Sequence, residues 1–247
     1  MSKDVAMQRK ILIVLHQEHS TPGRIGRLLR QQGYALDIRR PRFGDTLPKT
    51  MHEHDGAIIF GGPMSANDSD DWLRREIDWI GVPLHENKPF LGVCLGGQML
   101  ARHLGHRVYC HPEGKVEIGY YPIHPTDHGH ALCKTAFPDQ VYQWHGEGFD
   151  LPKGATLLAA GTDFEAQAFQ YGDQAVALQF HPEVTYAMMC RWTTRAAERL
   201  HLPNAQPRHR HLEEWFLHDG AVARWTESFL RQWVQGNPSE IAKTKAA

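Results

Sequence analysis

The chain has 247 residues, a formal net charge of -1 and a sequence pI near 7.0, with 41% hydrophobic and 22% charged residues. That length suits one α/β domain with appended elements, and the balanced charge gives no electrostatic case for binding nucleic acid or an anionic membrane. Residues 1–8 lack the basic start and apolar core of a signal peptide, and no apolar run approaches the ~20 residues of a membrane span, so the expected location is cytoplasmic.

In chain order, apolar runs rich in β-branched residues alternate with helix-period segments, the pattern of βαβ units and a parallel sheet. Residues 10–15, 35–39, 56–60 and 89–93 read as the first four strands; 22–32, 70–86 (despite Pro83) and 95–103 read as helices. From residue 107 the texture changes to short strands broken by Pro, Gly and Asp. Segments 116–123, 140–144, 166–171 and 175–180 are therefore expected as antiparallel additions to a mixed sheet. Two helices, 186–200 and 212–234, follow across the loop 203–211, and a frayed tail is expected from Gly236. Trp225, Phe229 and Trp233 recur every four residues, so one face of the last helix is expected to pack on the domain, as are the other C-terminal aromatics Trp192, Trp215 and Phe216. The histidines in 124–130 and 208–211 read as exposed polar turns.

Four cysteines, Cys94, Cys110, Cys133 and Cys190, show no C-x-x-C spacing, so neither zinc nor a disulfide framework is signalled. Cys94 stands apart. In Pro89-Phe90-Leu91-Gly92-Val93-Cys94-Leu95-Gly96-Gly97-Gln98 a buried strand runs into a glycine-flanked cysteine and then a helix, the layout of a nucleophile elbow. Glycines at 92 and 96 clear a sharp strand-to-helix turn, and the helix N-terminus favours negative charge on sulfur. The N–H of Leu95 would face a developing oxyanion, and Gly61-Gly62, closing the strand at 56–60, offers a second backbone donor. The alternative is a buried cysteine with glycines serving packing alone.

His-Pro-Glu occurs twice, as His111-Pro112-Glu113 and His181-Pro182-Glu183. The first lies in a polar, turn-like setting. The second closes the apolar run Ala175-Val176-Ala177-Leu178-Gln179-Phe180, which would hold the imidazole on a rigid element, with Glu183 folding back to orient it.

Together, Gly61-Gly62-Pro63, the Cys94 elbow and His181-Pro182-Glu183 resemble the triad-type class I glutamine amidotransferases, over roughly residues 10–184. The resemblance is to stand-alone relatives of the amidotransferase domain of GMP synthase, a group that includes γ-glutamyl peptidases. It implies a flavodoxin-like open mixed α/β sheet, mostly parallel, with helices on both faces. Residues 1–184 would form the amidotransferase domain and 185–247 a helical extension packed on it. It further implies Cys94 as nucleophile, His181 as general base and acid, Glu183 as orienter, oxyanion amides at Gly62 and Leu95, and Gln98 helping to hold glutamine. Trp144-His145-Gly146-Glu147 resembles the family's Ser-His-Gly-Asp segment beside the glutamine pocket, departing from it at Trp144 and Glu147. Trp144 would wall the acyl-donor pocket and Glu147 meet the donor's α-amino group. Glu117-Ile118-Gly119 reads as a turn lining the same cleft.

The chemistry implied is a γ-glutamyl thioester on Cys94, needing neither metal nor cofactor. Three readings stay open: a glutaminase supplying ammonia to a separate synthetase subunit, a free-standing γ-glutamyl peptidase or hydrolase, and a non-catalytic cysteine sensor or binding module.

Overall fold

A computed structural model of the chain describes residues 9–235; the tail expected from Gly236 lies outside the described residues. The first half runs β1 (Lys10–Val14), α1 (Gly23–Gln31), β2 (Ala35–Arg39), β3 (Gly56–Ile59), α2 (Asp71–Trp79), α3 (Gly81–His85), β4 (Phe90–Val93) and α4 (Leu95–His103). The second half begins with β5 (Val108–Cys110), β6 (Glu117–Pro122), β7 (His124–Pro125), α5 (Asp127–Ala131) and β8 (Gln140–His145). It continues through β9 (Glu147–Phe149), β10 (Ala155–Ala160), β11 (Ala166–Tyr171), β12 (Ala175–Leu178), α6 (Tyr186–Arg195) and α7 (Arg208–Gln235).

The central sheet has the order β2-β1-β3-β4-β12-β11-β10-β7. Its first five strands are mutually parallel, and β11, β10 and β7 extend it antiparallel. Strand β12, expected as an antiparallel addition, is parallel to β4 and antiparallel to β11, and so joins the two halves. Segments expected at 116–123 and 140–144 form a separate ribbon, β6 with β8. Glu117-Ile118-Gly119 is accordingly strand, not turn, and Gly119 is needed there because a Cβ would sit 2.3 Å from Gln206 Oε1. The short elements β7, β9, β10 and α5 carry little periodicity and have no counterpart among the expected segments.

Strands β1, β3, β4 and β12 are apolar and buried at nearly every position because both faces are covered, whereas the edge strand β2 carries Asp37 and Arg39 and is only half-buried. Ile11, Ile13, Ile58, Leu91, Val93, Val176 and Leu178 face one core with α1 and α7; Leu12, Val14, Ala57, Ile59, Phe90 and Ala177 face the other with α2 and α4. The helix expected over 70–86 is two, α2 and α3, divided at Ile80; Pro83 lies in the first turn of α3, where a missing N–H removes no intrahelical bond.

Helix α7 starts four residues before its expected beginning, and His211 is a buried residue, not an exposed one. Its Nε2–H donates to Gln206 O at 3.0 Å while Nδ1 accepts from the Tyr142 hydroxyl at 3.0 Å, and burial lowers its pKa. The stripe Trp225, Phe229 and Trp233 is buried in the same cluster as β1 and β4, and Trp233 Nε1 donates to Phe90 O at 3.3 Å. Phe216, by contrast, is 76% exposed. Because Trp225 is fully buried in the shared core, Trp225→Ala should destabilise the chain by about 3–5 kcal/mol. Urea unfolding should remain a single transition moved to lower concentration; a separate early phase would mean that α7 unfolds on its own.

Candidate active site

Three neighbouring parallel strands end at one edge of the sheet, and each delivers part of the site. Val93 stands opposite Leu178 in the register of β4 and β12, so Cys94 and the loop bearing His181 emerge side by side. Ile59 stands opposite Gly92, so the Gly61-Gly62 loop after β3 emerges on the other flank of Cys94.

Cys94 joins β4 to α4 at φ 51° and ψ -107°, a region that side-chain-bearing residues rarely occupy and that costs on the order of 1–3 kcal/mol. Surrounding contacts hold it there. Its N–H donates to Leu178 O at 2.7 Å, and its carbonyl accepts from Gln98 N–H at 3.0 Å. A Cβ on Gly92 would lie 2.4 Å from Gly96 O, and one on Gly96 would lie 2.0 Å from Ile59 O. The elbow therefore exists only because these backbones touch without side chains between them. Leu95 is the first residue of α4, so its N–H has no partner within the helix.

His181 and Glu183 are both buried, and His181 Nδ1 is 2.7 Å from Glu183 Oε1. The backbone N–H of His181 donates to Tyr142 O at 2.9 Å, anchoring the loop to β8. Burial lowers the His181 pKa, but the Glu183 carboxylate and the Cys94 sulfur together raise it to about 10. Among the described residues, its buried Nε2 has no hydrogen-bond partner. A Cβ on Gly61 would lie 2.9 Å from His181 Cε1 and 3.5 Å from Cys94 Cβ, so the diglycine loop abuts both groups.

The other triplet is built differently. His111 Nδ1 accepts from Glu113 N–H at 3.1 Å, while the Glu113 carboxylate pairs with Lys115 at 3.1 Å; the imidazole and carboxylate do not meet.

The family model for glutamine amidotransferase class-I matches residues 16–189. The chain belongs to the class I glutamine amidotransferases. It is 30% identical over 184 residues to the glutamine amidotransferase-like protein YfeJ of Salmonella typhimurium, spanning 71% of this chain and 76% of that protein. It is also 30% identical over 167 residues to the glutamine-hydrolysing GMP synthase of Streptococcus mutans, spanning 66% of this chain but 31% of the synthase. A glutamine amidotransferase structure from Thermotoga maritima superposes with a TM-score of 0.81 at 31% identity, over 92% of this chain and 98% of that one. One from Methylobacillus flagellatus gives 0.85 at 25% identity, over 93% and 95%.

In this class I amidotransferase the remaining predicted residues divide between two faces of β8. Gln98 is buried, not a helix-surface residue: its Nε2 donates to Glu147 O at 2.8 Å and to Gln179 Oε1 at 3.3 Å. His145 Nδ1–H donates to the same carbonyl at 2.9 Å, and its Nε2 lies 3.0 Å from Glu117 Oε2. Glu147, half-buried, accepts from the Ser65 hydroxyl at 2.9 Å, linking β9 to the loop that follows the diglycine. Trp144 points the other way, as strand alternation requires, and packs on Trp192 and His211.

Several residues around the site are not marked by the sequence as part of it, Trp192 being expected there only as a packing residue. Trp192 on α6 stands edge-on to the His181 ring, with centroids 5.0 Å apart. Arg24 is buried beside the same loop: its N–H donates to Glu183 O at 2.8 Å, Nη1 to Pro182 O at 3.1 Å and Nη2 to Asp219 on α7 at 2.5 Å. His16, immediately beyond β1 and Leu15, pairs with Glu76 on α2. His16 closes the apolar run Ile11-Leu12-Ile13-Val14-Leu15 just as His181 closes its own, and that shared pattern is the signal that would have found it.

The pH dependence has a defined sign. His181 binds its proton more tightly in the folded chain than at its ordinary pKa of 6.5, so its stabilising contribution is complete below 6.5 and is lost as pH rises through about 10. The urea midpoint should therefore decline across that window, and Glu183→Gln should flatten the decline by removing the main group that raises the pKa. An unchanged slope in the variant would contradict the pairing.

Proposed function

We propose that the chain hydrolyses the γ-amide of glutamine in the cytoplasm through a thioester on Cys94 and supplies the ammonia to a separate synthetase subunit. The observation that carries this reading is the convergence at one sheet edge of a strained cysteine at a helix N-terminus, a buried His181–Glu183 pair and a side-chain-free diglycine loop. The GMP synthase relatives are named as glutamine-hydrolysing and extend well beyond the matched segment, which supports the synthetase as the ammonia acceptor.

The Cys94 sulfur adds to the γ-carbonyl, and the electron pair moves onto oxygen, which the N–H groups of Gly62 and Leu95 receive. Collapse of this intermediate breaks the C–N bond, and the departing nitrogen takes the proton that His181, with its raised pKa, holds near neutrality. His181 then accepts a proton from water as the water oxygen attacks the thioester. Breaking the C–S bond releases glutamate and returns the sulfur to its starting state. Glu183 keeps the imidazole in register through both halves. Gln98 and His145 act on the backbone at Glu147, and the Glu147 carboxylate meets the α-amino group of glutamine. Trp144 acts through Trp192, which backs the His181 ring.

Incubation with glutamine should release equal amounts of glutamate and ammonia. Cys94→Ala should abolish this release and His111→Ala should leave it unchanged. Preferential release of amine from γ-glutamyl dipeptides or glutathione would transfer the same chemistry to a γ-glutamyl peptidase. Turnover that survives Cys94→Ala would refute the assignment, and inertness towards every γ-glutamyl donor would favour a sensor or binding module. Glu147→Gln should raise the KM for glutamine on the order of tenfold, as expected for a lost charge-assisted contact, with kcat changing less.

A further inference from the structure

A second histidine–carboxylate pair lies directly behind the diglycine loop. His16 and Glu76 are both fully buried, 60 residues apart in sequence, with His16 Nε2 at 2.8 Å from Glu76 Oε1. The other ring nitrogen, Nδ1, donates its proton to Gly61 O at 3.1 Å. The contact is close as well as polar, since a Cβ on Gly62 would lie 2.9 Å from His16 Cβ.

The Gly61–Gly62 peptide is trans, so its N–H and its carbonyl point in opposite directions. Holding Gly61 O against His16 turns the Gly62 N–H away from His16. The α-carbon of Gly61 lies on the side facing Cys94 and His181, where an added Cβ would touch both. A diglycine has no side chains to resist rotation of this peptide. Were it to flip, a carbonyl oxygen would be presented to the developing oxyanion in place of a donor, exchanging attraction for repulsion. Glu76 sits on α2, which packs against α4, so the restraint is anchored to the helix that also begins at the elbow.

We infer that His16, held by Glu76, is a positioning residue that fixes the Gly61–Gly62 peptide so that the Gly62 N–H serves as an oxyanion donor. This inference rests on the acyl-transfer reading above. Neither His16 nor Glu76 touches the reacting atoms; both act through the peptide.

The test compares wild type with His16→Ala, His16→Asn and Glu76→Gln, and with His54→Asn as a control. His54 is likewise buried and bonded to a carboxylate, Asp37 at 3.0 Å, but lies away from the Cys94 edge. Four quantities are measured: kcat and KM for glutamine, affinity for the γ-aldehyde analogue of glutamine, whose thiohemiacetal carries the oxyanion, and the rate of Cys94 alkylation by iodoacetamide, which develops none.

His16→Ala should lower kcat and aldehyde affinity together, on the order of 100-fold, while KM and alkylation change little. His16→Asn, whose amide N–H reaches the same carbonyl, should recover part of the loss, Glu76→Gln should fall between, and His54→Asn should lose stability without loss of kcat. The inference is overturned if His16→Ala costs no more kcat than His54→Asn, or if alkylation falls in step with kcat, which would mean that the whole site has loosened. If wild type neither turns over a γ-glutamyl donor nor binds the aldehyde, the functional reading itself fails, an outcome that the wild-type arm separates from the others.

Discussion

The backbone contact between the elbow and its neighbours is the constraint on which the rest of the site depends. Cys94 can occupy φ 51° only while Gly96 lies against the carbonyl of Ile59 and Gly92 lies against Gly96, with the Cys94 N–H tied to Leu178. These contacts draw β3, β4 and β12 together at one end, and the groups that follow each strand are thereby brought to the same point. The local strain at Cys94 is offset by packing on both sheet faces, where β3, β4 and β12 bury every side chain.

Around that point two histidine–carboxylate pairs face opposite sides of the diglycine. His181–Glu183 lies beside Gly61, and His16–Glu76 holds the carbonyl of the same residue from behind. In both pairs burial alone would disfavour the imidazolium, and the adjacent carboxylate reverses the balance so that the pKa is raised. A low-dielectric setting makes such pairs costly to break, which suits them to hold geometry.

The C-terminal helices belong to this arrangement. Asp219 on α7 bonds Arg24, Arg24 bonds the carbonyl of Pro182, and Trp192 on α6 backs the His181 ring. Gly23 is required where α1 meets the same loop, since a Cβ there would lie 2.2 Å from Glu183 O at φ 51°. The loop carrying His181 and Glu183 is thus clamped from α1, α6 and α7, and the last helix is both a core element through Trp225 and a brace for the site.

By itself the sequence determined the features that adjacent residues dictate. The turn at Cys94 follows from glycines two positions to either side, the alternation of apolar runs and helical periods specified the first four parallel strands but not β12, and the four-residue spacing of Trp225, Phe229 and Trp233 specified the buried face of α7. Each of these depends on sterics or periodicity within one short segment. Tertiary structure decided which distant groups meet: His16 with Glu76, Arg24 with Asp219 across 195 residues, Trp192 with His181, and the burial of His211 within what reads locally as a polar turn. It also decided that Trp144 and His145, adjacent in the chain, serve opposite faces of β8. Such pairings are set by strand register and helix docking over the whole chain, and a short polar segment carries no local mark of the partner that will bury it.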